Sequence, residues 1–336
     1  GFAVAYQEIA EKERENVREL VLGDAATPFD LAAGPLVRAK LLRLGKEEHV
    51  FIFTMHHIIS DGASTEVMIR EIVTLYESGR KGTAAILPPL NIQYKDYAAW
   101  QNKVLAGEGI NVHHRYWMSR FSDGIPTLNI PSDFARPAVK TYGGDRIILK
   151  LGRTYRDDLQ TIGHSNGASL FMVLLACVKA LLYRYSNQAD IVVGTPVAGR
   201  DHVELEGQIG FFVNLLALRT KIEEDERFSG LLQKIRQHTL DAYEHQAYPF
   251  DKLVSELVTG REKGRSPVFD VRVELNHIED RETFSDLYIQ PYEQELFISH
   301  FDLTFNFVVY EGSLSVYLVY ATDLFRRETA QAIISD

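Results

Sequence analysis

Met55-His56-His57-Ile58-Ile59-Ser60-Asp61-Gly62 decides how this chain is read. The apolar run Val50–Met55 leads into two adjacent histidines, then an acid and a glycine. Beyond them Met68, Ile72, Leu75 and Tyr76 recur at the spacing of one helix face. The pattern predicts a strand over 49–57, a sharp bend, and a helix over 64–77. In a regular strand, Phe51, Phe53, Met55 and His57 share one face, while Val50, Ile52, Thr54 and His56 share the other. The two imidazoles then point opposite ways and need not do the same job.

A strand that ends in imidazoles places a base at the mouth of a sheet. Histidine titrates near pH 6.5, so a modest perturbation poises it for proton transfer. Asp61 has three possible uses: orienting an imidazole, pairing with a cation to support the bend, or capping the helix. Gly62 would permit a positive φ or a close backbone approach. The spacing alone leaves open that both histidines are satisfied core residues. A metal site is not expected, because neither HExxH nor a Cys/His pattern is present and His113-His114 is the only other doublet.

Outward from this stretch the chain is ordinary in composition, 46% hydrophobic and 24% charged over 336 residues. That is enough apolar mass for a sizeable core and more length than one typical domain, so two lobes are expected. A net charge of -10 with no Lys/Arg stripe argues against a nucleic-acid backbone as partner. The single cysteine, Cys177, lies in an apolar helical run and reads as a buried small hydrophobe. One cysteine excludes an intrachain disulfide and fits a cytoplasmic location. No apolar run is long enough to span a bilayer. The chain opens on Gly1, so it reads as a piece of something longer.

Upstream, residues 7–23 read as an exposed helix, and Val37–Leu44 as the hairpin partner of the histidine strand. Downstream, helices are expected over 94–105 and 113–121, and the proline-containing stretch 124–142 reads as the crossover between lobes. Then come a strand at 145–151, helices at 154–162 and 169–185, strands at 190–196 and 212–221, and helices at 227–245 and 250–258. Strands at 268–275, 287–291, 302–310 and 313–320 precede a final helix from about 324. Strands and helices alternate without strict rhythm, which predicts mixed sheets in an α/β protein.

Gly163-His164-Ser165-Asn166-Gly167 matches the G-x-S-x-G elbow of serine hydrolases. That motif needs a strand before it, and residues 156–162 look helical. The glycines therefore read as helix stops, and Ser169 as the cap of the next helix. Asn214 is polar within an apolar run and must bond something buried, either backbone or substrate. Tyr94-Lys95-Asp96-Tyr97-Ala98-Ala99-Trp100 is aromatic at core-packing spacing. His245–Asp251 reads as a helix end followed by a proline-led restart. Arg261–Pro267 is a charged loop that could present cations to a phosphate.

Together these segments resemble the condensation domains of nonribosomal peptide synthetases. Met55–Gly62 is similar to the family's HHxxxDG signature and Tyr94–Trp100 to the motif that follows it. Ile209–Arg219, His245–Asp251 and Arg261–Pro267 are similar to the next three in order, the last two to HQxxPFE and, loosely, RDxSRNP. Gly194–Arg200 and Phe301–Thr304 are in the same style. Asp251 stands where Glu is usual, and Leu215 where Thr is common. Nothing in residues 1–48 matches the two earlier family motifs, so the resemblance is to a domain lacking its opening segment, and the cation for Asp61 is expected in that missing part.

The resemblance implies a chloramphenicol-acetyltransferase-like fold: two lobes in a V-shaped pseudo-dimer, here an incomplete N-terminal lobe 1–135 and a C-terminal lobe 136–336. It implies amide-bond formation between a carrier-bound aminoacyl or peptidyl thioester and a carrier-bound acceptor amine, as in antibiotic biosynthesis. His57 is the implied catalytic residue, with His56, Asp61 and Gly62 as motif support and Asn214 and Ser60 as substrate-tunnel candidates. No cofactor is bound directly; phosphopantetheine arms of upstream and downstream peptidyl carrier proteins bring the substrates, and an adjacent adenylation domain is an expected neighbour. An epimerization domain, a CoA-dependent acyltransferase and a non-catalytic carrier-docking platform are the alternatives.

Overall fold

The computed structural model describes residues 2–258, 260, 264–278, 288–290, 292 and 297–336. The chain forms two compact units. The first comprises Gly1–Ala99 and Arg200–Val213 with the described part of 283–296; the second holds Trp100–Gly199, Asn214–Glu282 and Phe297–Asp336. The expected boundary at 135 is therefore drawn differently. Residues 100–135 group with the second unit because Trp117, Phe121 and Leu128 are buried in its core.

In the first unit β1 (Val4–Glu8) runs parallel to β2 (Val37–Arg43), which pairs antiparallel with β3 (His49–Met55). The sheet order is β1-β2-β3 among the described residues. Leu42 and Ile52 on one face bury against Val17 and Val21 of α1 (Val17–Ala26). The expected helix over 7–23 is thus replaced by β1, a 3₁₀ turn at Glu11–Asn16 and α1. Gly23 does not stop α1. The helix ends at Thr27, which precedes Pro28 and takes the extended conformation that proline imposes on its neighbour. Then α2 (Gly62–Lys81) runs to a left-handed Gly82, and α3 (Tyr94–Ala106) carries the chain onward.

The second unit contains α4 (Ile110–Arg120), β4 (Gly143–Leu151), α5 (Gly152–Ser165), α6 (Leu170–Ser186) and β5 (Asp190–Val197). The chain returns to the first unit for a one-turn α7 (Val203–Glu206). It then forms β6 (Asn214–Lys221), α8 (Phe228–Glu244), α9 (Phe250–Leu257), β7 (Val271–Ile278), β8 (Phe297–Ile298), β9 (Leu303–Tyr310), β10 (Ser313–Ala321) and α10 (Arg327–Ser335). Among the described residues the sheet order is β6-β5-β7-β9-β10-β4-β8, with β7 parallel to β5 and β9 and the other pairs antiparallel. This is the mixed-sheet α/β architecture expected.

The ends of the strand expected at 287–291 lie outside the described residues, and residues 288–290 are not in a strand. Helix α5 runs through Gly163-His164-Ser165, so the hydrolase elbow is excluded; Ser169 caps α6 by accepting the Met172 N–H. Cys177, expected to be buried, lies on the exposed side of α6. The buried surprise in that helix is Lys179, whose Nζ donates to the Leu218 carbonyl (2.7 Å) and to Thr220 Oγ1 (2.8 Å). Among the described residues no single helix is long and apolar enough to cross a membrane.

Candidate active site

β3 stops one residue earlier than its pattern predicts. Met55 is its last residue, opposite Val37. His56 is extended, and His57–Ile59 form a 3₁₀ turn rather than more strand. Strand parity therefore does not separate the histidines; the turn does. His56 is tied to the loop: its Nδ1 accepts the Ile58 N–H at 3.1 Å, and its ring lies edge-on to Phe29.

His57 is exposed, with its ring edge-on to Phe211 at 5.4 Å between centroids. Its Nδ1 lies 2.6 Å from the Ser60 carbonyl oxygen. A carbonyl can only accept, so Nδ1 carries the hydrogen, and in the neutral ring Nε2 is then the nitrogen with the lone pair. No carboxylate bonds His57 among the described residues. The loop thus presents one imidazole, in one tautomer, with its accepting nitrogen outward. Ser60 contributes through this carbonyl; its side chain is buried, with Oγ 3.4 Å from the His56 carbonyl.

Among the described residues, the bonds of Asp61 go to groups other than His57. As N-cap of α2 its Oδ1 accepts the Ser64 N–H (2.8 Å) and the Ser64 hydroxyl (2.7 Å), and its Oδ2 accepts the Phe212 N–H (3.0 Å). Arg200 Nη2 donates to the same Oδ1 at 2.9 Å, with both side chains almost fully buried. The cation of Asp61 is therefore within this chain, which corrects the expectation that it lies in a missing segment. Burial pushes the Asp61 carboxyl up, but the bonds from Ser64, Phe212 and Arg200 outweigh it and hold the group below its ordinary range.

Arg200 also donates to the Leu205 and Gln208 carbonyls and lies over the Phe212 ring, 4.3 Å from its centroid. Ser64, wholly buried, gives its one hydroxyl hydrogen to Asp61 Oδ1 and accepts the Gly210 N–H at 3.0 Å; the Gly210 carbonyl oxygen lies 2.9 Å from the same hydroxyl. Gly210 has no room for a side chain, since a Cβ there would sit 2.3 Å from the Tyr94 ring. The Tyr94 hydroxyl in turn donates to the Phe211 carbonyl. Segment 200–213 is thus fastened to the start of α2 from several directions. Ser64 does not stand out in the sequence, and Arg200 does so only as the end of the Gly194–Arg200 segment, with nothing local to tie it to Asp61; it follows β5 and the left-handed Gly199.

Geometry decides part of two expectations. Gly62 has no positive φ, and a Cβ there would meet nothing within 4 Å, so the fold itself makes no use of a glycine. Asn214 has no polar capacity left for substrate. Its Nδ2 donates to the Gln246 and Tyr248 carbonyls, and its Oδ1 accepts the Leu215 and Phe250 N–H groups. It clamps the His245–Asp251 turn onto β6. That turn is further held by Trp117 Nε1 on the His245 carbonyl.

An exposed imidazole with a fixed tautomer, on a loop held by a buried ion pair, is equipped to move a proton. Similarity to known proteins agrees in kind. The family model "Condensation domain" matches residues 2–336. The chain is 40% identical over 318 residues to tyrocidine synthase 3 of Brevibacillus parabrevis, covering 94% of this chain and 5% of that protein. It is 39% identical over 330 residues to gramicidin S synthase 2 of Brevibacillus brevis, covering 98% and 7%. Among solved structures, the X-domain in its complex with OxyB from teicoplanin biosynthesis aligns at a TM-score of 0.88 and 25% identity, over 100% of this chain and 74% of that one. The chain belongs to the condensation-domain family, an acyltransferase-type catalytic family, and has its chloramphenicol-acetyltransferase-like fold. It spans only a few per cent of the length of these curated relatives, which are peptide synthetases.

Proposed function

We propose that this chain joins a carrier-bound aminoacyl or peptidyl thioester to a carrier-bound acceptor amine, forming an amide in nonribosomal peptide synthesis. The observation that carries the proposal is the His57 Nδ1–H bond to the Ser60 carbonyl, which leaves Nε2 outward as the acceptor. The acceptor nitrogen adds to the thioester carbonyl carbon. The tetrahedral adduct then expels the thiolate, so that one C–N bond forms and one C–S bond breaks. His57 Nε2 takes the proton from the amine and passes it to the leaving sulfur. A thioester is already activated, so holding the two substrates in line supplies more of the rate than proton transfer does. Asp61 and Arg200 keep the loop in shape without touching substrate.

The substrates arrive on phosphopantetheine arms of upstream and downstream carrier proteins, with an adenylation domain as neighbour, in the cytosol. The test is transfer between two loaded carriers by the full synthetase module. His57→Ala should lower the rate roughly 10²–10⁴-fold with the fold intact. A wild-type rate from His57→Ala would remove His57 from the chemistry. Inversion of the α-carbon with a single loaded carrier would instead make this an epimerization domain. Turnover with acyl-CoA and no carrier would make it a CoA-dependent acyltransferase.

A further inference from the structure

The second unit contains a cavity of about 530 Å³, within the size range of small-molecule sites, and its described lining residues all belong to that unit. One wall is a row of three aromatic rings. Phe250 and Phe269 lie 5.3 Å apart, and Phe269 stacks on Phe301 at 5.4 Å. Gly194 of β5 makes the row possible, because a Cβ there would fall 1.9 Å from the Phe269 ring. The glycine leaves room for that ring against β5.

Lys140 also lines this cavity. Its ammonium donates to Ser266 Oγ (2.9 Å) and to the His300 carbonyl (3.1 Å), both neutral acceptors. The two nearby carboxylates are committed elsewhere. Asp302 is bound by Arg136, and Asp270 by Arg265 (2.8 Å) and the Ser266 N–H (3.0 Å). Burial draws the Lys140 pKa down despite the attraction of Asp270 and Asp302, as expected for a cation with no carboxylate in contact among the described residues. Arg265 and Asp270 also line the cavity but are paired with each other, so among the described residues Lys140 is the lining cation without a carboxylate partner, and it complements one negative charge on an apolar body.

We propose that this pocket binds a small aryl or alkyl-aryl carboxylate, its ring against Phe250, Phe269 and Phe301 and its carboxylate on Lys140. The proposal does not depend on the condensation reading. It is tested by calorimetric titration of the whole protein with 4-phenylbutanoate, 4-phenylbutan-1-ol and 4-phenylbutylamine, with the acid also soaked into crystals. The acid should bind about tenfold or more tighter than the alcohol, as expected for a hydrogen bond to a charged group, and the amine most weakly. Density should place the acid against Lys140. Lys140→Gln keeps a donor for Ser266 and for the His300 carbonyl, and should bring the acid down to the affinity of the alcohol. Equal binding of all three probes, no saturable binding of the acid, or density elsewhere would overturn the proposal. So would an acid preference that survives in Lys140→Gln. The probe series on the native protein decides the matter even if that variant fails to fold.

Discussion

Removing either partner of the Asp61–Arg200 pair should cost far more than removing both would suggest. The side chains are 4% and 6% exposed, so each loses nearly all of its hydration on folding. Asp61→Asn leaves the guanidinium with the Leu205 and Gln208 carbonyls and Ser64 Oγ, and no anion. It also turns one acceptor oxygen into an NH₂, so either the Ser64 and Arg200 donors or the Phe212 N–H go unmet. Arg200→Met leaves a buried carboxylate with three neutral donors. Breaking a buried pair from one side typically costs about 3–5 kcal/mol. With partial compensation here, each single variant should lose about 3 kcal/mol. The double variant should lose about 4 rather than 6, a coupling of about 2 kcal/mol. Urea unfolding followed by circular dichroism at constant m measures this. Losses that add to within about 0.5 kcal/mol would refute the pairing and return the cation of Asp61 to another part of the protein. The acid limb gives an independent check. A carboxyl held below its usual pKa adds stability above about pH 4, lost as pH falls through its folded value, so Asp61→Asn should flatten that limb.

Asn214→Ala strands two carbonyls and two N–H groups and should cost about 2–4 kcal/mol by urea unfolding. KM for both carriers should stay unchanged, and a raised KM would restore Asn214 to the substrate path. Gly62→Ala should leave stability within about 1 kcal/mol of wild type. A larger thermal or urea-measured loss would mean that the fold does need this glycine. The His238 pKa is pushed down to about 4, first by burial and then by the charges of Arg120 and Lys179. Between pH 6.5 and 4 the unfolded chain therefore binds a proton that the folded one refuses, and stability falls as pH falls. His238→Gln should recover about 1–2 kcal/mol of the loss between pH 7 and 4.5, allowing for partial solvent screening. Equal pH dependence in both proteins would exclude His238 as the source.

What the sequence reveals by itself follows locality. The β9–β10 hairpin is legible because Glu311 and Gly312 both take the positive φ that a tight turn demands, and apolar alternation flanks them. Helix α6 is legible from its length and its serine cap. The G-x-S-x-G segment can be dismissed because residues before it are helical. What escapes is non-local. β1 has a free-standing sequence too short and too exposed to declare itself, and it exists only by parallel pairing with β2. The end of β3 at Met55 depends on His56 and His57 finding bonds within their own loop. Asn214 stands out as polar in an apolar run, yet only the positions of residues 246–250 decide between its two readings. Arg200 is 139 positions from Asp61, and no periodicity reaches that far.

That separation also sets an order in time. When Asp61 leaves the ribosome, its counter-charge is still 139 residues from leaving it. At about 5–20 residues per second, the histidine loop waits on the order of ten seconds before Arg200 and the Phe212 amide can reach it. Until then the start of α2 has only its own Ser64 to cap against. The histidine turn is therefore a late product of synthesis, finished only after β4, α5, α6 and β5 have emerged. A nascent chain halted before residue 200 carries the full histidine signature but lacks the means to hold it in shape.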